Sequence, residues 1–124
     1  MGLFSRNNES KVIFPWKEIT SVAELTACME NAVSKPVVLF KHSTRCSISI
    51  MALKLFQKEW ILENDKFDLC YVDLLAHRDV SNELEKLSSV QHQSPQAIVW
   101  FNNEVLYSAT HSGISATEIQ ALSL

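Results

Sequence analysis

A chain of 124 residues, 47% hydrophobic and 20% charged, has the balance of one globular domain able to bury its own core. A formal charge of −3, with no cluster of Lys and Arg, argues against a nucleic-acid surface. No apolar run reaches the ~20 residues that cross a bilayer, residues 1–6 hold neither a signal-peptide core nor the Ser or Thr that myristoylation needs at Arg6, and the expectation is a soluble cytoplasmic protein without membrane partners.

Residues 1 to about 11 are polar and expected to fray, leaving 12–124 as a single domain. Ser21-Val22-Ala23-Glu24 reads as a capping box. It opens a helix with Val22, Leu25, Met29, Ala32 and Val33 on its apolar face, ending before Pro36. Residues 36–40 are a continuous apolar run, as expected of a strand covered on both faces. After a loop at 41–45, a second helix is predicted from Cys46 to about Glu63, with Ile48, Ala52, Leu55, Phe56 and Trp60 inward. A buried strand at 67–75 and a short helix at 80–87 follow. A polar loop then leads through Ser94-Pro95 to strands at 97–101 and 105–107 around the turn dipeptide Asn102-Asn103. Ser115-Ala116-Thr117-Glu118 caps a terminal helix. The order α-β-α-β-α-β-β-α implies an α/β fold with a mixed four-stranded sheet flanked by helices.

Three cysteines, an odd number at wide spacing, suit intracellular free thiols better than a disulfide framework or a zinc site. Cys46 follows a buried strand and starts a helix. Unpaired N–H groups and the positive end of the helix dipole stabilise a thiolate there. Lys41, His42 and Arg45 lie just upstream, and the hydroxyls of Ser43, Thr44 and Ser49 are candidate donors to the sulfur. Cys28, on the flank of the first helix, and Cys70, inside a strand, read as inert packing residues. In Cys46-Ser47-Ile48-Ser49, Ser49 occupies the place of a resolving cysteine and cannot form a disulfide. The chemistry left is monothiol exchange, completed by a thiol from solution. Of the histidines, His42 is the candidate for tuning Cys46. His77 and His92 read as solvated, and His111 lies after the last strand. No group of residues has metal-ligand spacing, so no metal and no bound cofactor is expected. Pro95 alone reads as a loop proline.

Lys41-His42-Ser43-Thr44-x-Cys46-x-Ile48-Ser49, Val80-Ser81-Asn82, Ser94-Pro95-Gln96 and the His111-containing segment resemble the monothiol bacilliredoxins (YtxJ-like), thioredoxin-like proteins of the bacillithiol system, over roughly residues 16 to 122. The resemblance implies a thioredoxin-like fold, Cys46 as nucleophile, and Pro95 as a cis-proline facing it. It also implies bacillithiol, or a similar low-molecular-weight thiol, as co-substrate and S-thiolated cytoplasmic proteins as partners. There are two departures: Arg45 replaces a small or hydroxyl residue, and Ser47 replaces proline, which restores an N–H at the helix start. The C-x-x-S spacing is shared with monothiol glutaredoxins, which hold iron–sulfur clusters between two subunits. A cluster or thiol carrier, or an interaction module with an idle cysteine, are the alternative readings.

Overall fold

The structure, a computed structural model, describes residues 14–124; the stretch expected to fray, residues 1 to about 11, lies outside them. The elements are β1 (Lys17–Glu18), α1 (Val22–Glu30), β2 (Val37–His42), α2 (Ser47–Glu59), β3 (Asp68–Asp73), α3 (Arg78–Ser88), β4 (Gln96–Phe101), β5 (Glu104–Thr110) and α4 (Ala116–Gln120), with a 3-10 turn at His111–Gly113. The sheet order is β1-β3-β2-β4-β5, parallel among the first three strands and antiparallel beyond β2. The sheet therefore has five strands rather than four. The addition is the two-residue β1, which pairs with Cys70 and Tyr71; both its side chains are exposed, so it carries no apolar periodicity.

Both capping boxes form: the hydroxyls of Ser21 and Ser115 accept from the N–H groups of Glu24 and Glu118, each at 3.1 Å. Asn102 and Asn103 both have positive φ, 51° and 65°, the conformation of a two-residue turn whose twist matches the flanking strands. β5 runs on to Thr110 because Gln96 pairs with it.

Alternation along β2 divides the interior. Val37 and Leu39 join Leu25, Met29, Val80, Leu84 and Cys70 on the α1/α3 face. Val38 and Phe40 join Phe56, Trp60, Ala97 and Ile119 on the α2/α4 face. Trp16 fastens the chain's entry by stacking on Phe56 at 5.5 Å and donating from Nε1 to Gln57 Oε1 at 2.7 Å. α2 stops at Glu59, short of Glu63, because Trp60 turns extended to pack on Phe56 and Phe67. The next amide, Ile61 N–H, is taken by Gln120 Oε1 at 2.8 Å. The inward face of α2 also differs from expectation. Phe56 and Trp60 are buried, whereas Ile48 is 56% and Leu55 50% exposed.

Parallel pairing of β2 with β3 and antiparallel pairing with β4 bring several chain segments to one end of the sheet. His42 lies opposite Asp73, and Gln96 opposite Lys41. The 43–46 loop, the start of α3, the Ser94-Pro95 step and His111 therefore share that end.

Candidate active site

The loop after β2 closes as a tight turn, with Cys46 N–H donating to the Ser43 carbonyl at 3.2 Å. Cys46 is the N-cap of α2, in extended backbone (φ −102°, ψ 119°), and makes no side-chain capping hydrogen bond. At a position that favours Ser, Thr, Asp or Asn, a half-buried thiol leaves the first-turn amides uncapped. Those N–H groups and the helix dipole face an anion forming on sulfur. Ser47, in place of proline, is the first residue of α2 and adds one more such N–H.

Ser49 is fully buried, and its Oγ is engaged within the protein. Ser43 N–H donates to it at 3.0 Å, and His42 Nδ1 lies 2.7 Å away. The direction of the His42–Ser49 hydrogen bond follows the tautomer of the ring. Burial holds His42 below its ordinary pKa, partly offset by the Asp73 carboxylate and a hydrogen bond with the Ser49 backbone. Ser49 thus ties the Cys46 loop to strand β2; it was expected as a donor to sulfur, and its hydroxyl is turned to His42 instead. Thr44 and Arg45 stand exposed beside a cleft of about 480 Å³ that also involves Asp73, Leu75 and Ala76.

Ser94–Pro95 is a cis peptide bond. The Pro95 carbonyl accepts from His111 N–H at 3.1 Å, tying the proline step to the turn after β5. His111 has a positive φ of 54° and is exposed. With Ser112 and Ile114 it borders an apolar groove of about 410 Å³ whose other wall is Ile48, Met51, Ala52 and Leu55. Ile48 and Leu55, expected inward, are the groove's wall; sequence periodicity missed it because Ile48/Leu55 and Phe56/Trp60 fit helical spacing equally well.

Lys41 does not reach toward Cys46. It is fully buried on the α3 side, its Nζ 3.0 Å from His92 Nδ1. Ser81 Oγ lies 3.2 Å from the same ring nitrogen, and the His92 backbone N–H donates to Glu85 Oε2 at 2.7 Å. His92, expected to be solvated, is therefore part of a partly buried polar network. Burial lowers the Lys41 ammonium to about 8, opposed by Glu85. Burial, and next the Lys41 charge, also hold His92 below its ordinary value. Cys28 and Cys70, each expected to be an inert packing residue, touch each other with sulfurs 3.5 Å apart.

The family model for the monothiol bacilliredoxin BrxC matches residues 17–119. The chain belongs to the monothiol bacilliredoxin family. Among solved structures, this bacilliredoxin is similar to one assigned as an oxidoreductase with a thioredoxin fold, at 30% identity and TM-score 0.73, covering 85% of this chain and 90% of the other. Thioredoxins from Malassezia sympodialis (18% identity, TM-score 0.65, 86% and 85% covered) and Trypanosoma brucei brucei (13%, 0.67, 89% and 89%) share the fold. The fold is that of thioredoxin, and family and fold together make this a thiol redox protein. Among the described residues, no helix is long and apolar enough to cross a membrane.

Two outcomes follow from the site. Folded Lys41 releases its proton near pH 8, whereas the unfolded chain keeps it to about 10.4. Between those values the unfolded state binds more protons, so Lys41 adds stability as pH rises. Urea titrations should show wild type gaining on the order of 1–2 kcal/mol over Lys41→Met across that window, after allowance for solvent screening; a pH-independent difference would contradict the placement. Second, the extended Cys46 backbone accepts a following proline. Ser47→Pro, which removes one of the amides facing the sulfur, should slow thiol exchange without abolishing it and raise stability by about 0.4–1 kcal/mol in the same titration; a loss of stability would mean that the Ser47 N–H is already bonded.

Proposed function

We propose that this bacilliredoxin removes bacillithiol, or a similar low-molecular-weight thiol, from mixed disulfides on cytoplasmic proteins, with Cys46 as the sole reacting thiol. The observation that carries the reading is the pairing of an uncapped helix-start Cys46 with a buried Ser49 held by His42 and Ser43. The Cys46 thiolate attacks the thiol-side sulfur of the mixed disulfide. The protein thiolate leaves and takes a proton, and the adduct passes to Cys46. No sulfur stands at the second motif position to expel it, so a solution thiol attacks the adduct and regenerates Cys46. The amides at the start of α2 stabilise negative charge on the Cys46 sulfur both as it attacks and as it leaves.

Two surfaces support the substrate side of this reading. Arg45, exposed next to Cys46, offers a cation to the carboxylates of an anionic thiol. The groove walled by Ile48, Met51 and Leu55 starts two residues after Cys46 and suits the apolar residues flanking a modified cysteine on a polypeptide.

A bacillithiolated model protein, mixed with reduced wild type, should lose its adduct while Cys46 gains it, read by intact mass. Cys46→Ser should transfer nothing. Met51→Glu should slow transfer from the protein substrate by roughly tenfold while leaving exchange with oxidised bacillithiol within about twofold. Equal rates for Met51→Glu and wild type on the protein substrate would remove the groove from the account, and transfer by Cys46→Ser would overturn the function.

A further inference from the structure

The mechanism leaves two thiols unused, and they are in contact. Cys28, on α1, and Cys70, on β3, have sulfurs 3.5 Å apart on the α1/α3 face of the sheet, while Cys46 heads a helix on the other face. They differ in access. Cys70 is 2% exposed, whereas Cys28 is half-buried. Both line a cleft of about 310 Å³ with Pro15, Lys17, Asn31 and Asp68. An incoming disulfide therefore meets Cys28 first, with Cys70 directly behind it.

We propose that Cys28 and Cys70 are a second redox site, a dithiol that reduces a low-molecular-weight disulfide and closes into an intramolecular disulfide. The electrostatics divide the roles. The two thiols share a hydrogen bond in which either sulfur can donate; with Cys70 as donor, that bond lowers Cys28 with help from Lys17, against burial and the Asp68 carboxylate. Cys70, as the donor and buried, is raised. Lys17 sits beside the pair because β1 places it opposite Cys70, and Asp68 is itself drawn to Lys35 at 3.4 Å.

The electrons balance in two exchanges. The Cys28 thiolate attacks R–S–S–R, forming Cys28–S–SR and releasing RS⁻. Cys70 then attacks the Cys28 sulfur, forming Cys28–Cys70 and releasing the second RS⁻, with the Cys70 proton passing to a leaving thiolate. Two protein thiols are oxidised and one disulfide is reduced to two thiols. Closing the sulfurs from 3.5 Å to the roughly 2.05 Å of a bond is a small side-chain movement. The product links α1 to β3 across 42 residues of sequence, so the oxidised form should melt higher, by roughly 5–15 °C.

The test uses full-length Cys46→Ser, so that failure of the proposed Cys46 chemistry cannot be confused with failure of this one. Reduced protein is treated with excess oxidised glutathione and followed by intact mass, peptide mapping and release of free glutathione. The expected product is lighter by two hydrogens, carries a Cys28–Cys70 linkage, and has released two glutathione thiols per chain. Adding Cys70→Ala should trap glutathione on Cys28, and adding Cys28→Ala should abolish the reaction. A stable glutathione adduct on Cys28 with Cys70 intact, or a chain whose two thiols stay unreacted, would overturn the proposal.

Discussion

Strand β2 must serve two cores at once. All six of its residues are buried, so every side chain from Val37 to His42 has to be satisfied inside the protein. Four apolar side chains do this by alternating between faces. The last two are polar, and burying them unpartnered would be costly. Lys41 is met by His92, which Ser81 of α3 also contacts; His42 is met by Ser49 at the first turn of α2. The second of these contacts sets the position of Cys46. Because Ser49 also accepts from the Ser43 amide, the loop carrying Cys46 is held between strand and helix at fixed length. The serine that removes dithiol chemistry from the motif is therefore also what positions the remaining thiol.

Most of the frame was legible in local signals. Capping serines at 21 and 115 marked helix starts, two asparagines marked the hairpin, and a buried run followed by Cys46 marked the strand-to-helix corner. Each depends on neighbours within a few residues, which is where sequence is most explicit. What stayed hidden depends on contacts across the sheet. Lys41 read as a loop residue near the thiol, but pairing with Gln96 extends the strand through it and turns its ammonium toward α3. His92 read as solvated because its partners, Lys41 and Ser81, are distant in sequence. The meeting of Cys28 and Cys70 arises only when α1 settles on β3, which no spacing rule registers.

The sheet also separates two kinds of sulfur chemistry. On one face Cys46 stands at a helix start with no sulfur in its motif to answer it. On the other, two sulfurs answer each other beside Lys17. In the proposed chemistry a thiolate at Cys46 is regenerated only from outside, whereas oxidation of the inner pair would be completed within the chain. The two sites lie on opposite faces of a sheet whose central strand is closed to both.

The lifetime of an adduct on Cys46 tests most directly whether that thiol is isolated. Wild-type protein carrying one bacillithiol on Cys46, freed of all small thiols, is followed by intact mass and peptide mapping. The adduct should stay on Cys46 until an external thiol is added and then leave at once. Spontaneous loss of the adduct with formation of a Cys46–Cys28 or Cys46–Cys70 disulfide would contradict it.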